Sequence, residues 1–352
     1  MRPTDWLKRL DELSPRVAVA LGCGVGLGFL LLPGTVLGAV LGLLGMGGLF
    51  VLGMSGRTLV VSVPRELPQA AQVPVAQDQP AEVSLVQPPT VRSPIRLPVG
   101  ETWLVAEGVA FTMRPLNGGE FWMGSRDDDE QAHESENPRH RVRLSPFSMM
   151  MVGVTQRLYR AVMKQEPPDE AEAELPVTGV SWFDAVAFCN ALSELRGLRP
   201  CYQQTENGWE WDRSADGFRL PTEAEREYAT RAGSEDRWCF GDVEAKLGDY
   251  AWFAGNGGGS LHPVGQKTAN AWGLHDLHGN VWEWCWDWFG PYSAESAIDP
   301  LGANDGNERM LRGGSFLNEP WLLRSASRVG DGPVYLSRDV GFRCVRSVSR
   351  QP

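Results

Sequence analysis

The chain has 352 residues, a formal net charge of −11, 42% hydrophobic residues, 14 Trp and 40 Gly. That composition suits a compact, loop-rich body and excludes a wholly disordered chain. The acidity, with no basic stripe to offset it, excludes a nucleic-acid backbone as partner.

Residues 1–16 form a leader in which Asp5, Asp11 and Glu12 stand beside the basic residues, unlike a cleaved signal peptide. From Val17 to Gly56 there is no charged residue. One helix of that length would reach roughly 60 Å, twice a bilayer's apolar core. Pro33-Gly34 interrupts the run, so the pattern predicts a transmembrane hairpin over 17–56, with spans near 17–32 and 35–54. A single span using mainly the second half is the alternative. Gly22/Gly26, Gly24/Gly28 and Gly34/Gly38/Gly42 recur every four residues, a spacing that lets helices pack closely and allows a homo-oligomer. Basic residues on both flanks place the following body on the cytoplasmic side of a bacterial inner membrane, or in the periplasm if only one span crosses. Residues 57–100 are a linker, kept extended by prolines at 64, 68, 74, 80, 88, 89, 94 and 98.

A Trp-, Gly- and Asp-rich globular body follows over 101–348. Phe121 to Ser125 reads as a strand entering a turn, and Arg141 to Leu144 alternates as a half-buried strand. Helices are expected over Thr155 to Lys164 and from Ser181, where Phe183, Val186, Ala187, Phe188, Ala191 and Leu195 follow helical spacing. Thr222 and Glu225 make a capping box that starts another. Beyond Gly233 the pattern is of short strands and long loops. The cysteines at 23, 189, 201, 239, 285 and 344 show no metal-ligand spacing and read mostly as buried free thiols.

Four motifs then stand in order: Gly217-Phe218-Arg219-Leu220-Pro221-Thr222-Glu223-Ala224-Glu225, His278-Gly279-Asn280-Val281-Trp282-Glu283-Trp284, Arg312-Gly313-Gly314-Ser315 and Gly341-Phe342-Arg343. Together they resemble the formylglycine-generating enzyme (sulfatase-modifying factor) family, over about Val105 to Arg346. The resemblance implies an α+β, C-type-lectin-like fold with little regular secondary structure. It also implies one calcium site, at Asp276, Gly279, Val281 and Glu283. Two carboxylates with backbone carbonyls are the oxygen donors a hard cation prefers; the bland alternative is that Glu283 pairs with an arginine. The family's oxidase chemistry uses two cysteines that bind copper. At those positions this chain has Asn318 and Leu323, neither a soft ligand, so copper is not expected.

Trp282, Ser315 and Arg324 match residues near the family's substrate groove, although Arg324 and Arg328 also make sense as supports for buried carbonyls. With the copper pair gone, Asn318, Trp321, Leu323 and Tyr335 would join Trp282, Ser315 and Arg324 on a ligand-facing surface. The leading reading is a membrane-anchored, non-catalytic module that binds a protein or peptide. The alternatives are an oxidoreductase with copper or non-heme iron, a membrane scaffold, and a lectin-like protein diversified by a retroelement. Whether the chain is an enzyme stays open. His275/His278 and His133/His140 are read as chance placements rather than iron ligands.

Overall fold

The computed structural model describes residues 30–32, 35–37, 50–54, 57–61, 100–206 and 208–347. It divides into two compact units, 1–88 and 89–352.

In the first unit the described residues are strands. β1 (Leu30–Leu32) pairs antiparallel with β2 (Thr35–Leu37), and β3 (Phe50–Met54) with β4 (Arg57–Val61). This differs from the expected helical hairpin, and no helix among the described residues is long and apolar enough to cross a membrane. Leu- and Val-rich runs carry no period that separates helix from strand, and frequent glycine lowers helix propensity. The rest of the expected spans, the leader and linker residues 62–99 lie outside the described residues, while the first linker residues, 57–61, form β4.

The second unit is built on three sheets. β5 (Glu101–Ala106), β6 (Val109–Leu116), β9 (Phe147–Met150), β12 (Phe218–Arg219) and β18 (Val345–Ser347) form an antiparallel sheet in the order β12-β18-β9-β6-β5. β13 (Trp282–Trp288), β15 (Arg309–Arg312), β16 (Arg328–Asp331) and β17 (Val340–Gly341) form a second, ordered β16-β15-β13-β17, whose β13–β17 pair is parallel. β7 (Gly119–Met123), β8 (His140–Leu144) and β14 (Ala297–Ile298) make the third, and β10 (Tyr202–Thr205) with β11 (Gly208–Trp211) a separate hairpin.

The helices start where the sequence signals them. Thr155 caps α1 (Gln156–Val162), and Ser181 with Asp184 makes a full capping box for α2 (Trp182–Leu195). Thr222 and Glu225 do the same for α3 (Glu223–Arg231); α4 (Leu247–Tyr250) is a single turn. Phe188 of α2 packs on Phe342 and Tyr159 in the main aromatic core. Of the described cysteines, Cys189, Cys201, Cys285 and Cys344 are buried, as expected of small apolar side chains, and Cys239 is half-buried.

α3 is the unusual element. Its sequence is strongly polar, yet all nine of its residues are buried. Each charge has a partner. Glu223 meets Arg328 at 2.7 Å, Glu225 meets Arg219, Arg226 meets Glu283 at 2.7 Å, and Glu227 lies between Arg231 and Arg312. Burial pushes the Glu227 carboxyl up, but Arg231 and Arg312 more than offset it and hold it below the usual range. Removing one partner of such a pair strands a buried charge, which costs about 3–5 kcal/mol, whereas an exposed pair contributes about 0–1 kcal/mol. Glu227→Gln should therefore lower the unfolding free energy from urea titration by an amount in the first range, and Glu174→Gln, whose partner Arg157 is at the surface, by one in the second.

Candidate functional site

The second sheet carries the site. β13 supplies Trp282, buried, with its N–H donating to the Asp339 carbonyl at 2.8 Å. β15 ends at Arg312, and Gly313-Gly314 then turn the chain with positive φ, 103° and 75°. A side chain on Gly313 would meet the Arg226 guanidinium at 2.8 Å, and one on Gly314 the Leu323 side chain at 2.8 Å. The turn delivers Ser315 to a buried position where its Oγ is 2.8 Å from both Asn318 Oδ1 and Asp339 Oδ2. Ser315 N–H also donates to Asn318 Oδ1 at 2.8 Å. The Asn318 carbonyl accepts from Ala254 N–H at 3.0 Å, which ties the loop to the 252–257 segment. Asn318 is thus a loop fastener, its amide oxygen turned inward.

Leu323 and Arg324 do not belong to a ligand-facing surface. Leu323 is 0% exposed and packs in a cluster with Trp238, Leu247 and Ala251. An apolar side chain at the base of the loop gains more by filling that gap than by facing water. Arg324 is equally buried, bidentate to Glu136 at 2.7 Å and 3.0 Å from Asp129. Arg328 holds Glu223, so the architectural reading of both arginines is the observed one. Trp321, at 46% exposure, and Tyr335, at 40%, do face solvent, together with Leu317, Val334 and Leu336. Phe316 beside them is buried.

The loop expected to hold calcium is sharply bent. Asp276, Gly279 and Asn280 all have positive φ, and a side chain on Gly279 would collide with the Trp252 carbonyl. Glu283, however, spends both oxygens on guanidiniums: Arg343 at 2.7 and 2.8 Å and Arg226 at 2.7 Å. Asp276 Oδ2 accepts Gly265 N–H at 2.7 Å. A cation bound by both carboxylates would have to displace a guanidinium, so these residues as they stand do not fit a hard cation. Melting temperatures of the full-length chain with and without chelator should coincide. A fall in chelator that vanishes in Glu283→Ala would restore calcium.

His278 is a positioning residue, not the chance placement its spacing from His275 suggests. Its Nδ1 is 2.7 Å from the Leu323 carbonyl and its Nε2 accepts Cys239 N–H at 3.2 Å. Those contacts make Nδ1 the protonated nitrogen and join the 239 and 323 loops. Burial pulls its pKa down to about 4 from 6.5. A histidine held neutral contributes stability that is full above its unfolded pKa and is lost as pH falls toward the folded one. The stability deficit of His278→Asn relative to wild type should therefore shrink between pH 6.5 and 4, by up to roughly 3 kcal/mol. A pH-independent deficit would refute this role. His275 Nδ1 faces the Lys267 carbonyl and His133 Nδ1 faces Ser135, and among the described residues no metal-binding cluster forms.

Residues 110–348 match the sulfatase-modifying factor enzyme 1-like domain. The chain is 32% identical over 322 residues to the formylglycine-generating enzyme of Streptomyces coelicolor, covering 78% of this chain and 95% of that one. Among solved structures it is similar to Treponema denticola variable protein 1, with 34% identity and a TM-score of 0.66 over 71% of this chain and all of the other. It is also similar to PvdO from Pseudomonas aeruginosa, with 25% identity and a TM-score of 0.57 over 71% of this chain and 98% of the other.

Proposed function

The chain belongs to the formylglycine-generating enzyme (sulfatase-modifying factor) family, with its C-type-lectin-like fold, and from that membership we propose that it is a binding member presenting its C-terminal loops to a protein or peptide. The observation that carries the reading is the fate of two positions. Asn318 fastens its own loop and Leu323 fills the core beneath it, so neither offers copper a thiolate. Above them stand Leu317, Trp321, Val334, Tyr335 and Leu336, large apolar side chains left in water on irregular loops. Exposed aromatics beside aliphatics on a rigid frame are what peptide recognition uses. The uncharged 17–56 run supports membrane attachment of the whole, which carbonate extraction of native membranes would test.

An oxidoreductase is the second reading. The likeness to the Streptomyces enzyme and the retained Trp282 and Ser315 favour it. Two measurements separate them. With copper supplied, the full-length chain should form no aldehyde from a cysteine-containing sulfatase-type peptide; turnover with oxygen uptake would establish the oxidase instead. Peptides selected from a displayed library on the wild-type chain should bind the Trp321→Ala, Tyr335→Ala double variant at least about tenfold more weakly. That variant should keep its unfolding free energy to within about 0.5 kcal/mol per site, as surface substitutions do. Undiminished binding, or a loss of about 3–5 kcal/mol as for buried aromatics, would sink the recognition surface.

A further inference from the structure

A second cavity lies away from these loops, where β13 ends and the 288–303 segment folds back over the start of α3. It has a volume of about 190 Å³ and is lined by Met123, His140, Asp287, Trp288, Tyr292 and Arg328, among others. A cavity of about 150 Å³ accommodates a benzene-sized ligand, so this one has room for a small molecule or head group.

The buried carboxyl groups of this unit differ in how they are matched. Glu136, Glu223, Glu225, Glu227 and Glu283 are buried and each touches a guanidinium. Among the described residues Asp287, 2% exposed, has no arginine or lysine in ion-pair contact. Its Oδ2 accepts the Glu223 N–H at 2.9 Å, and the carboxyl lines the cavity. Of the other acids there, Glu295 is exposed to solvent and Glu223 is satisfied by Arg328 and by the Tyr292 hydroxyl at 2.9 Å. The Trp288 and Tyr292 rings each carry a guanidinium on one face, Arg309 at 3.4 Å and Arg328 at 4.0 Å. Arg309 itself lies against the Trp182 and Trp288 rings and donates to the Trp286 carbonyl, leaving Asp287 without a direct partner.

We propose that this cavity binds a methylated ammonium group, with Asp287 as counter-ion and the Met123, Trp288 and Tyr292 side chains as its walls. An aromatic and thioether lining with one uncommitted buried carboxyl and few spare acceptors suits a cation that needs charge but no hydrogen bonds. A neutral polar ligand would leave the carboxyl's negative form unmatched, and an anion would meet it and Glu223 head on.

The proposal has a proton signature. Burial first, then the nearby Glu223 and Glu225 of α3, push the Asp287 carboxyl up to about 8, while Arg309 of β15 faces it as the opposing charge. Cys285 on the same strand is a neutral thiol, its own value pushed up by burial. His140 of β8, Tyr292 and the paired Arg328 of β16 complete the surroundings. At neutral pH the group is mostly the acid, so a bound cation must expel its proton.

The test is isothermal titration of the full-length chain with tetramethylammonium, whose charge does not change with pH, and with tert-butanol as an uncharged analogue of similar shape. Tetramethylammonium should bind about tenfold more tightly at pH 9 than at pH 7, releasing close to one proton per ion at pH 7, about the change expected across a pKa near 8. Asp287→Asn should lose binding and proton release together. The idea fails if tert-butanol binds as well, if no ammonium binds at pH 9, or if affinity and proton count do not change with pH. The proton count is read on the wild-type chain, so it holds even if the variant folds poorly.

Discussion

The constraint on which the second unit depends is the burial of α3, a helix whose charged side chains cannot face water and must be matched inside. Ionised groups in a low-dielectric interior are tolerated only when paired with good geometry and further hydrogen bonds. Here the matching arginines come from every direction: Arg219 from β12, Arg312 from β15, Arg328 from β16, and Arg226 of the helix itself reaching Glu283 on β13. Arg343, next to β17, closes the set on the far side of Glu283. The first and second sheets are thereby held in one arrangement by contacts that tolerate little slippage. Hydrophobic contacts around Trp182, Phe188 and Phe342 contribute area; the ion pairs fix orientation.

This lattice explains what the four motifs are for. Arg219, Glu223 and Glu225, Glu283, Arg312 and Arg343 are its members, and Gly313 is small because the Arg226 guanidinium passes against it. The motifs are therefore instructions for a scaffold. Folding needs the lattice whatever side chains the loops above it carry. The loops are free to differ. Asn318 and Leu323 each turn inward and stabilise them, and Leu317, Trp321, Val334, Tyr335 and Leu336 are left outside beside the charged Glu319 and Arg338.

How much was legible follows from the same division. The helix starts at Ser181 and Thr222 were readable because capping is local: a hydroxyl and an acid three residues on satisfy the first N–H groups wherever they occur. Trp321 and Tyr335 as surface followed from their places on irregular loops. Leu323 and Arg324 were misplaced as ligand residues because burial is set by what packs from far along the chain, Trp238 for one and Glu136 for the other. Nor could spacing reveal that Glu283 meets two arginines, 57 and 60 residues away. His278 sat inside a recognised motif, and that was the available sign of its bridging role. Helix was the wrong expectation for Leu30–Leu32, Thr35–Leu37 and Phe50–Met54, because uncharged Leu, Val and Gly residues carry no period that separates helix from strand.

Titration of the reduced, full-length chain with copper(I) against a competing chelator bears most directly on the claim that the family's scaffold is kept here without its metal chemistry. No copper should be retained by the chain and no thiolate-to-copper absorption should appear, since the Cys239 thiol is half-buried and pushed up by burial to about 12, and the Cys189 and Cys344 sulfurs, 3.6 Å apart, are sealed in the core, where burial pushes the Cys189 thiol up. One tightly held copper(I) per chain, with that absorption and lost on alteration of a single cysteine, would contradict that claim.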